Sequence, residues 1–113
     1  MNPFPDVDEF FALPVSQRHI DNGKLLEPCD CPVALALMDR FSMPEHTVSV
    51  SVERGDVLVC IEKSNYELVY EMEADLSPSS REFIGMFDSL EPVKPSVLVL
   101  KVTEIRDWTK DES

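Results

Sequence analysis

The strongest structural signal in the sequence is an alternating run of side chains from His46 to Glu53. Apolar and polar residues take turns along it, which is typical of a β-strand with one buried face. The run Val57–Ile61 is apolar on both faces and predicts a central strand, and Tyr66–Met72 alternates again. Short turns at 55–56 and 64–65 join the three runs, so they predict an antiparallel three-strand meander.

A helix is predicted before the meander. Asp30 is a good N-cap, and Pro32 falls in the first turn, where its missing N–H costs nothing. The helix runs from about Cys31 to Phe41, and every residue from Pro32 to Met38 is apolar. A helix that is apolar all round is buried on more than one side. It therefore lies under the sheet or takes part in a subunit contact.

A second helix is predicted after the meander. Ser77 followed by Pro78 begins it by the same capping rule. Phe83, Phe87 and Leu90 recur at i, i+4 and i+7, so the helix is amphipathic and covers one side of the sheet.

Two further segments complete the predicted fold. Ser16 caps a short helical turn that ends at Gly23, and Ser96–Val102 reads as a buried closing strand. The order α-β-β-β-α-β predicts an α+β two-layer domain, with two main helices on a mainly antiparallel four-stranded sheet. An extra N-terminal strand near Phe11–Val15 stays open as an alternative.

The two ends of the chain differ from the domain predicted between them, residues 13–106. Residues 1–12 form an acidic arm that carries Phe4, Phe10 and Phe11, and residues 107–113 form a flexible tail that includes Trp108. The phenylalanines either pack back onto the core, which the cost of exposing them favours, or contact a partner. If a partner is bound, these four aromatic residues are its secondary contacts.

The charge of the chain limits its partners. Its 22 acidic and 10 basic residues give a formal net charge of -12, so we expect no direct contact with nucleic-acid phosphates, which requires Lys and Arg. Carboxylates on one face of a strand lie ~7 Å apart, close to the phosphate spacing of one nucleic-acid strand. A row of them predicts a contact surface for a basic protein: Glu62, Glu67, Glu71, Glu73 and Asp75. The alternative is a solvated edge strand that resists aggregation.

The cysteines give little support for a metal site. Cys29 and Cys31 form a C-x-C pair, and Cys60 lies inside an apolar run. A structural zinc would need four ligands, drawn also from His19 and His46, and nothing in the spacing brings them together. We expect free thiols in a reducing compartment and no metal.

The sequence gives a weak case for catalysis. The three isolated glycines exclude a phosphate-binding loop, and neither histidine lies near a nucleophile elbow. Carboxylates are plentiful, but a catalytic pair needs contrasting environments across a cleft. We therefore expect no enzymatic activity and no cofactor.

Three segments resemble a group of small proteins common in bacteriophages and mobile elements of bacteria. In that group an HI…G turn precedes a CPIALAL helix, and a later FI…FD helix leads through a proline into a closing strand. The corresponding segments here are His19–Gly23, Cys31–Leu37 and Phe83–Asp88, followed by Pro92. The match covers roughly residues 13–102. The resemblance implies a phage or mobile-element origin and carries no defined site.

These observations together predict a non-catalytic phage accessory protein. We expect it to bind and inhibit a basic host protein, such as a defence nuclease or nucleic-acid-binding complex, through a carboxylate surface that mimics nucleic acid. The expected location is the cytoplasm of the host bacterium, because the first residues do not resemble a signal peptide and no run of ~20 apolar residues could span a membrane.

Other functions remain open at this stage. One is a small-ligand binder, for instance of a nucleotide signal, which would require Arg18, Arg40, Arg54 or Arg81 to cluster. That protein could be a homodimer through the Pro32–Met38 helix, with a pocket between subunits. Another is a structural phage protein without a site.

Overall fold

Five strands and three helices make up the part of the chain that the structure, a computed structural model, describes: residues 3–53 and 55–108. They follow one another as β1 (Phe10–Val15), α1 (Gln17–Asn22), α2 (Pro32–Arg40), β2 (His46–Val52), β3 (Asp56–Lys63), β4 (Leu68–Leu76), α3 (Pro78–Asp88) and β5 (Ser96–Asp107). The predicted α+β class is confirmed. Among these residues, no helix is long and apolar enough to cross a bilayer.

The sheet is antiparallel and has the strand order β1-β5-β4-β3-β2. The prediction of four strands is wrong, because Phe10–Val15 forms the fifth and pairs with β5. Phe11, Leu13 and Val15 are buried on one face of β1, while Pro14 takes an outward position, where an edge strand tolerates it. The open alternative of an N-terminal strand is the arrangement that the chain adopts.

The strand order also corrects the explanation of the acidic residues as a solvated edge. β4 lies between β3 and β5, in the middle of the sheet, and the edges are β1 and β2. Carboxylates on β4 therefore do not protect an edge from pairing with another chain.

One face of the sheet carries the hydrophobic core. Val33, Ala34 and Leu37 of α2 and Phe83 of α3 belong to a single buried cluster with the inward residues of the strands. Both helices therefore cover this face. The opposite face is open, and its side chains are half-buried or exposed.

The N-terminal aromatic residues join this core. The rings of Phe4 and Phe11 lie edge-on to Phe41, with centroids 5.1 Å and 5.8 Å away. Phe4 and Phe11 of the predicted arm therefore pack on the core, and β1 already begins at Phe10. At the other end Asp107 closes β5 and Trp108 follows it, while the rest of the predicted tail lies outside the described residues.

Helix α2 begins one residue later than predicted. Its N-cap is Cys31, whose Sγ accepts a hydrogen bond from the backbone N–H of Ala34 at 3.5 Å; Asp30 is not the cap. Five of its residues are buried by the rest of the chain, and Leu35 and Met38 remain half-buried. Whether a second copy contacts those two side chains stays a prediction.

Helix α3 begins as predicted, with Ser77 as N-cap and Pro78 in the first turn. Its last residue is Asp88 and its C-cap is Ser89, and Leu90 beyond them adopts a positive φ of 63° and is exposed. The prediction that Leu90 continues the buried face is wrong, because the chain leaves the helix before that turn is complete.

Candidate functional site

The open face of the sheet gathers carboxylates from three neighbouring strands. Alternation along β3, β4 and β5 turns them outward, away from the buried valines and leucines. Register brings Asp56 opposite Asp75, and Glu73 opposite Glu104. We call the six carboxylates of this face the acidic block: Asp56, Glu62, Glu71, Glu73, Asp75 and Glu104.

Arg106 lies within the acidic block and bridges three of its members. Its Nε donates to Glu71 Oε1 at 2.5 Å, and its two terminal nitrogens lie 2.9 Å from Glu73 Oε2 and 2.7 Å from Glu104 Oε2. A planar guanidinium suits several carboxylates at once because its five N–H donors point in fixed directions. The bridge therefore fixes the positions of these side chains on the sheet surface.

The bridge also favours the charged forms of Glu104 and Arg106. Hydrogen bonding and the positive charge of Arg106 lower the pKa of Glu104 below its usual range, while the same contacts raise the pKa of Arg106. Three carboxylates around one guanidinium leave a local excess of negative charge. Among the described residues, Lys101 is the other cation on this part of the face, opposite Asp75.

Cys60 borders the acidic block on β3. Its thiol donates to Glu71 Oε2 at 3.4 Å. Burial, followed by the hydrogen bond and the negative charge of Glu71, raises the pKa of Cys60 to about 12. The thiol is therefore protonated at neutral pH and is a poor nucleophile.

The structure brings together four of the five predicted carboxylate contacts. Glu62, Glu71, Glu73 and Asp75 share the open face. Glu67 does not, because β4 begins at Leu68 and Glu67 lies in the preceding turn, where Lys63 Nζ is 3.5 Å from its Oε2.

Sequence reasoning missed Asp56, Glu104 and Arg106. Their outward positions on β3 and β5 follow from alternation. Their proximity to the β4 carboxylates depends on strand order and on a register shift next to Glu73, neither of which a single sequence displays.

The predicted aromatic contacts divide into two groups. Phe4 and Phe11 are buried in the core and are not available to a partner. Phe10 is 67% exposed on the open face, where Lys101 Nζ lies 5.8 Å from its ring centroid, and Trp108 is 37% exposed beyond the end of β5.

A Ser-His-Asp chain that the sequence analysis does not predict lies elsewhere in the structure. Ser16 Oγ lies 3.0 Å from His19 Nδ1, and His19 Nε2 lies 2.6 Å from Asp39 Oδ2. The same Nδ1 accepts the backbone N–H of Ser16, and Ser16 Oγ accepts the backbone N–H of His19. The Ser16–His19 contacts are the capping box of α1, in which Nδ1 is engaged by a backbone N–H, and the His19–Asp39 contact ties α1 to α2.

The arginines that a nucleotide ligand would need do not share a pocket. Arg18, Arg40 and Arg81 line three different cavities, and Arg54 lies outside the described residues. Arg18 pairs with Asp39 at 2.8 Å, and Arg81 Nε donates to the carbonyl of Leu76. The three described arginines therefore give the small-ligand alternative no shared cluster of cations.

Comparisons with known proteins add no functional information. No protein-family model matches the chain, and neither the curated proteins nor the solved structures give a significant match. Across residues 3–53 and 55–108, no three His, Cys, Asp or Glu side chains are grouped in a way that could hold a metal ion.

Proposed function

We propose that this protein is a non-catalytic binding protein whose open sheet face contacts a basic partner protein. The observation that carries the proposal is the acidic block, in which six carboxylates from three strands face outward together. Charge of one sign on one surface steers an oppositely charged partner and accelerates its association.

The rigidity of the block supports recognition as well as solubility. Glu71, Glu73 and Glu104 are held by Arg106, and their strands lie within the sheet and not in a loop. A partner therefore meets carboxylates whose conformational entropy is already reduced, which lowers the cost of binding. A merely solvating surface does not require such fixed positions.

The partner class that fits best is a protein with a basic surface, such as a nucleic-acid-binding protein. Successive outward carboxylates on β4 lie ~7 Å apart, similar to phosphates along one strand. In the phage context implied by the sequence resemblance, such binding would inhibit a host protein, for example a defence nuclease. Inhibition follows if the acidic block occupies the basic groove that the nucleic acid needs.

Capture from bacterial lysate tests the proposal. The full chain is immobilised beside a variant with three neutralised members of the block, Glu62→Gln, Asp56→Asn and Asp75→Asn, none of which bridges to Arg106. A matched control carries the same charge change elsewhere, at exposed Glu27, Glu45 and Glu91, each replaced by Gln.

The expected result is a basic protein that the wild type and the control retain at low salt and that the block variant loses. Retention should fall as salt rises, because surface charges are screened. Equal capture by the block variant and the control would refute the proposal, as would capture that does not depend on salt.

A further inference from the structure

An apolar strip lies beside the acidic block on the same open face. Its five residues take the outward positions of β1 and of the first half of β5: Phe10, Ala12, Pro14, Val97 and Val99. Val97 is 64% exposed and Val99 is 39% exposed. The open face of an antiparallel sheet is normally polar, so an unbroken apolar strip there is unusual.

A groove borders the strip where β5 begins. A cavity of about 480 Å³ opens between α3 and the start of β5 and shares Val97 with the strip. Phe83 and Met86 of α3 line it on one side, and Pro92 and Val93 line it on the other. Of its lining residues only Val97 belongs to the strip, so the strip is the apolar surface that the open face itself presents.

Register joins this surface to the acidic block. Asp56, Asp75, Lys101 and Phe10 are consecutive cross-strand neighbours on β3, β4, β5 and β1. Strands lie ~4.8 Å apart, so an element ~10 Å wide that lies over β5 reaches both apolar and acidic positions. A single occupant therefore needs an apolar side and a basic side.

We propose that the open face binds an amphipathic basic α-helix of the partner, an inference that rests on the proposed function and specifies its partner. The apolar side of that helix packs on the strip, and its Lys or Arg side lies over the acidic block. The face of a sheet offers no free ladder of backbone groups, so an extended peptide would leave its own backbone unpaired there. A helix satisfies its own backbone groups and packs on sheet faces generally.

A second copy of this chain fits the face poorly. Packing two open faces together would place one acidic block near another, and like charges in apposition oppose association. Charge complementarity thus selects a basic occupant.

Titration with a designed helical peptide tests the inference. The probe is a Leu/Lys peptide of about 18 residues, roughly 27 Å long as a helix, with leucines spaced to form one apolar side. Its comparison is a scrambled peptide of the same composition and charge that has no apolar side. Fluorescence anisotropy gives the affinities for the full chain, and amide NMR shifts locate the contact.

Two variants separate the apolar contribution from general effects on the protein. Val97→Ser with Phe10→Ser removes the exposed apolar groups of the strip, while Tyr66→Ser removes an aromatic side chain that is 83% exposed in the β3–β4 turn. Thermal unfolding of each variant confirms that it is folded.

The helical peptide should bind about tenfold or more tightly than the scrambled one, from the burial of a few apolar side chains. The strip variant should lose that advantage, Tyr66→Ser should keep it, and amide shifts should change on β1 and β5. Equal binding of the two peptides, or no binding of either, overturns the inference, as does an unchanged affinity of the strip variant. The proposed function is judged separately by salt-dependent capture on the acidic block.

Discussion

The hydroxyl of Ser80 makes hydrogen bonds with both the N–H and the carbonyl of Val99. Ser80 Oγ donates to the Val99 carbonyl at 3.2 Å and accepts the Val99 N–H at 3.3 Å, while the backbone N–H of Ser77 donates to the same carbonyl at 3.1 Å. β4 ends at Leu76, so the first turn of α3 satisfies the groups on β5 that a continued β4 would have paired. This junction supports the stretch of β5 that carries Val97 and Val99 outward.

Ser80→Ala should destabilise the fold by about 1–3 kcal/mol, because the Val99 N–H would lose its partner and the Val99 carbonyl would keep only the Ser77 N–H. Ser80 is fully buried. The neighbouring exposed Ser79→Ala is the matched control and should change stability by less than about 0.5 kcal/mol. Urea unfolding of both variants checks this, and equal midpoints would contradict the role given to Ser80.

Gly23→Ala and Gly85→Ala should change the stability of the fold in opposite directions. A Cβ at Gly23 would lie 2.6 Å from Cδ and Cγ of the buried Pro32 ring, whereas a Cβ at Gly85 would meet nothing within 4 Å. The first substitution should cost about 1–3 kcal/mol through overpacking, and the second should add about 0.5–1 kcal/mol through helix propensity. The melting temperatures of both variants are compared with that of the wild type. A shift of the same sign in both variants would refute the predicted opposite effects on stability.

Arg106→Met should destabilise the protein by about 1–2 kcal/mol at pH 7, since it leaves three carboxylates clustered without their cation. The pKa of Glu104 is lowered in the folded state, so its contribution to stability is present above its ordinary value of 4.5 and is lost as the pH falls below it. The loss of stability caused by Arg106→Met should therefore become smaller as the pH is lowered.

Lys63→Met is the control variant for Arg106→Met. It removes only the exposed Lys63–Glu67 pair and should cost less than about 0.5 kcal/mol at any pH. Denaturant unfolding at neutral and acidic pH measures both variants. A cost for Arg106→Met that is independent of pH would contradict the electrostatic explanation.

Cys60 should react far more slowly with iodoacetamide than the exposed Cys29. With its pKa raised to about 12, only on the order of 1 in 10⁴ of the Cys60 side chains is a thiolate at pH 8. Glu71→Gln removes the adjacent negative charge and should accelerate labelling, whereas Glu67→Gln, in the β3–β4 turn, should not. Mass spectrometry of timed samples gives the rates, and equal acceleration by both variants would show that Glu71 is not the cause.

Local patterns identified most of the secondary structure. Alternation of Val48, Val50 and Val52 is confirmed as β2, and the Ser77-Pro78 pair is confirmed as the start of α3. In the elements that were predicted, the errors fall at boundaries, where competing local partners decide. The Cys31 thiol caps α2 in place of Asp30, and the chain leaves α3 before Leu90.

The sequence by itself determined the class of the fold, the approximate positions of the β2–β4 meander and of α2, α3 and the closing strand, and the excess of negative charge. β4 runs from Leu68 to Leu76 and not from Tyr66 to Met72, and the closing strand extends beyond Val102 to Asp107. These properties depend on side-chain periodicity, capping and composition, which act over a few residues. Only the tertiary structure decided that β1 adds a fifth strand beside β5, that β4 is central, and that Arg106 joins Glu71, Glu73 and Glu104. Pairing between strands far apart in the chain sets those relationships. A slip of one residue in the register would turn every side chain of a strand to the opposite face, so burial of the whole core face of the sheet fixes the register.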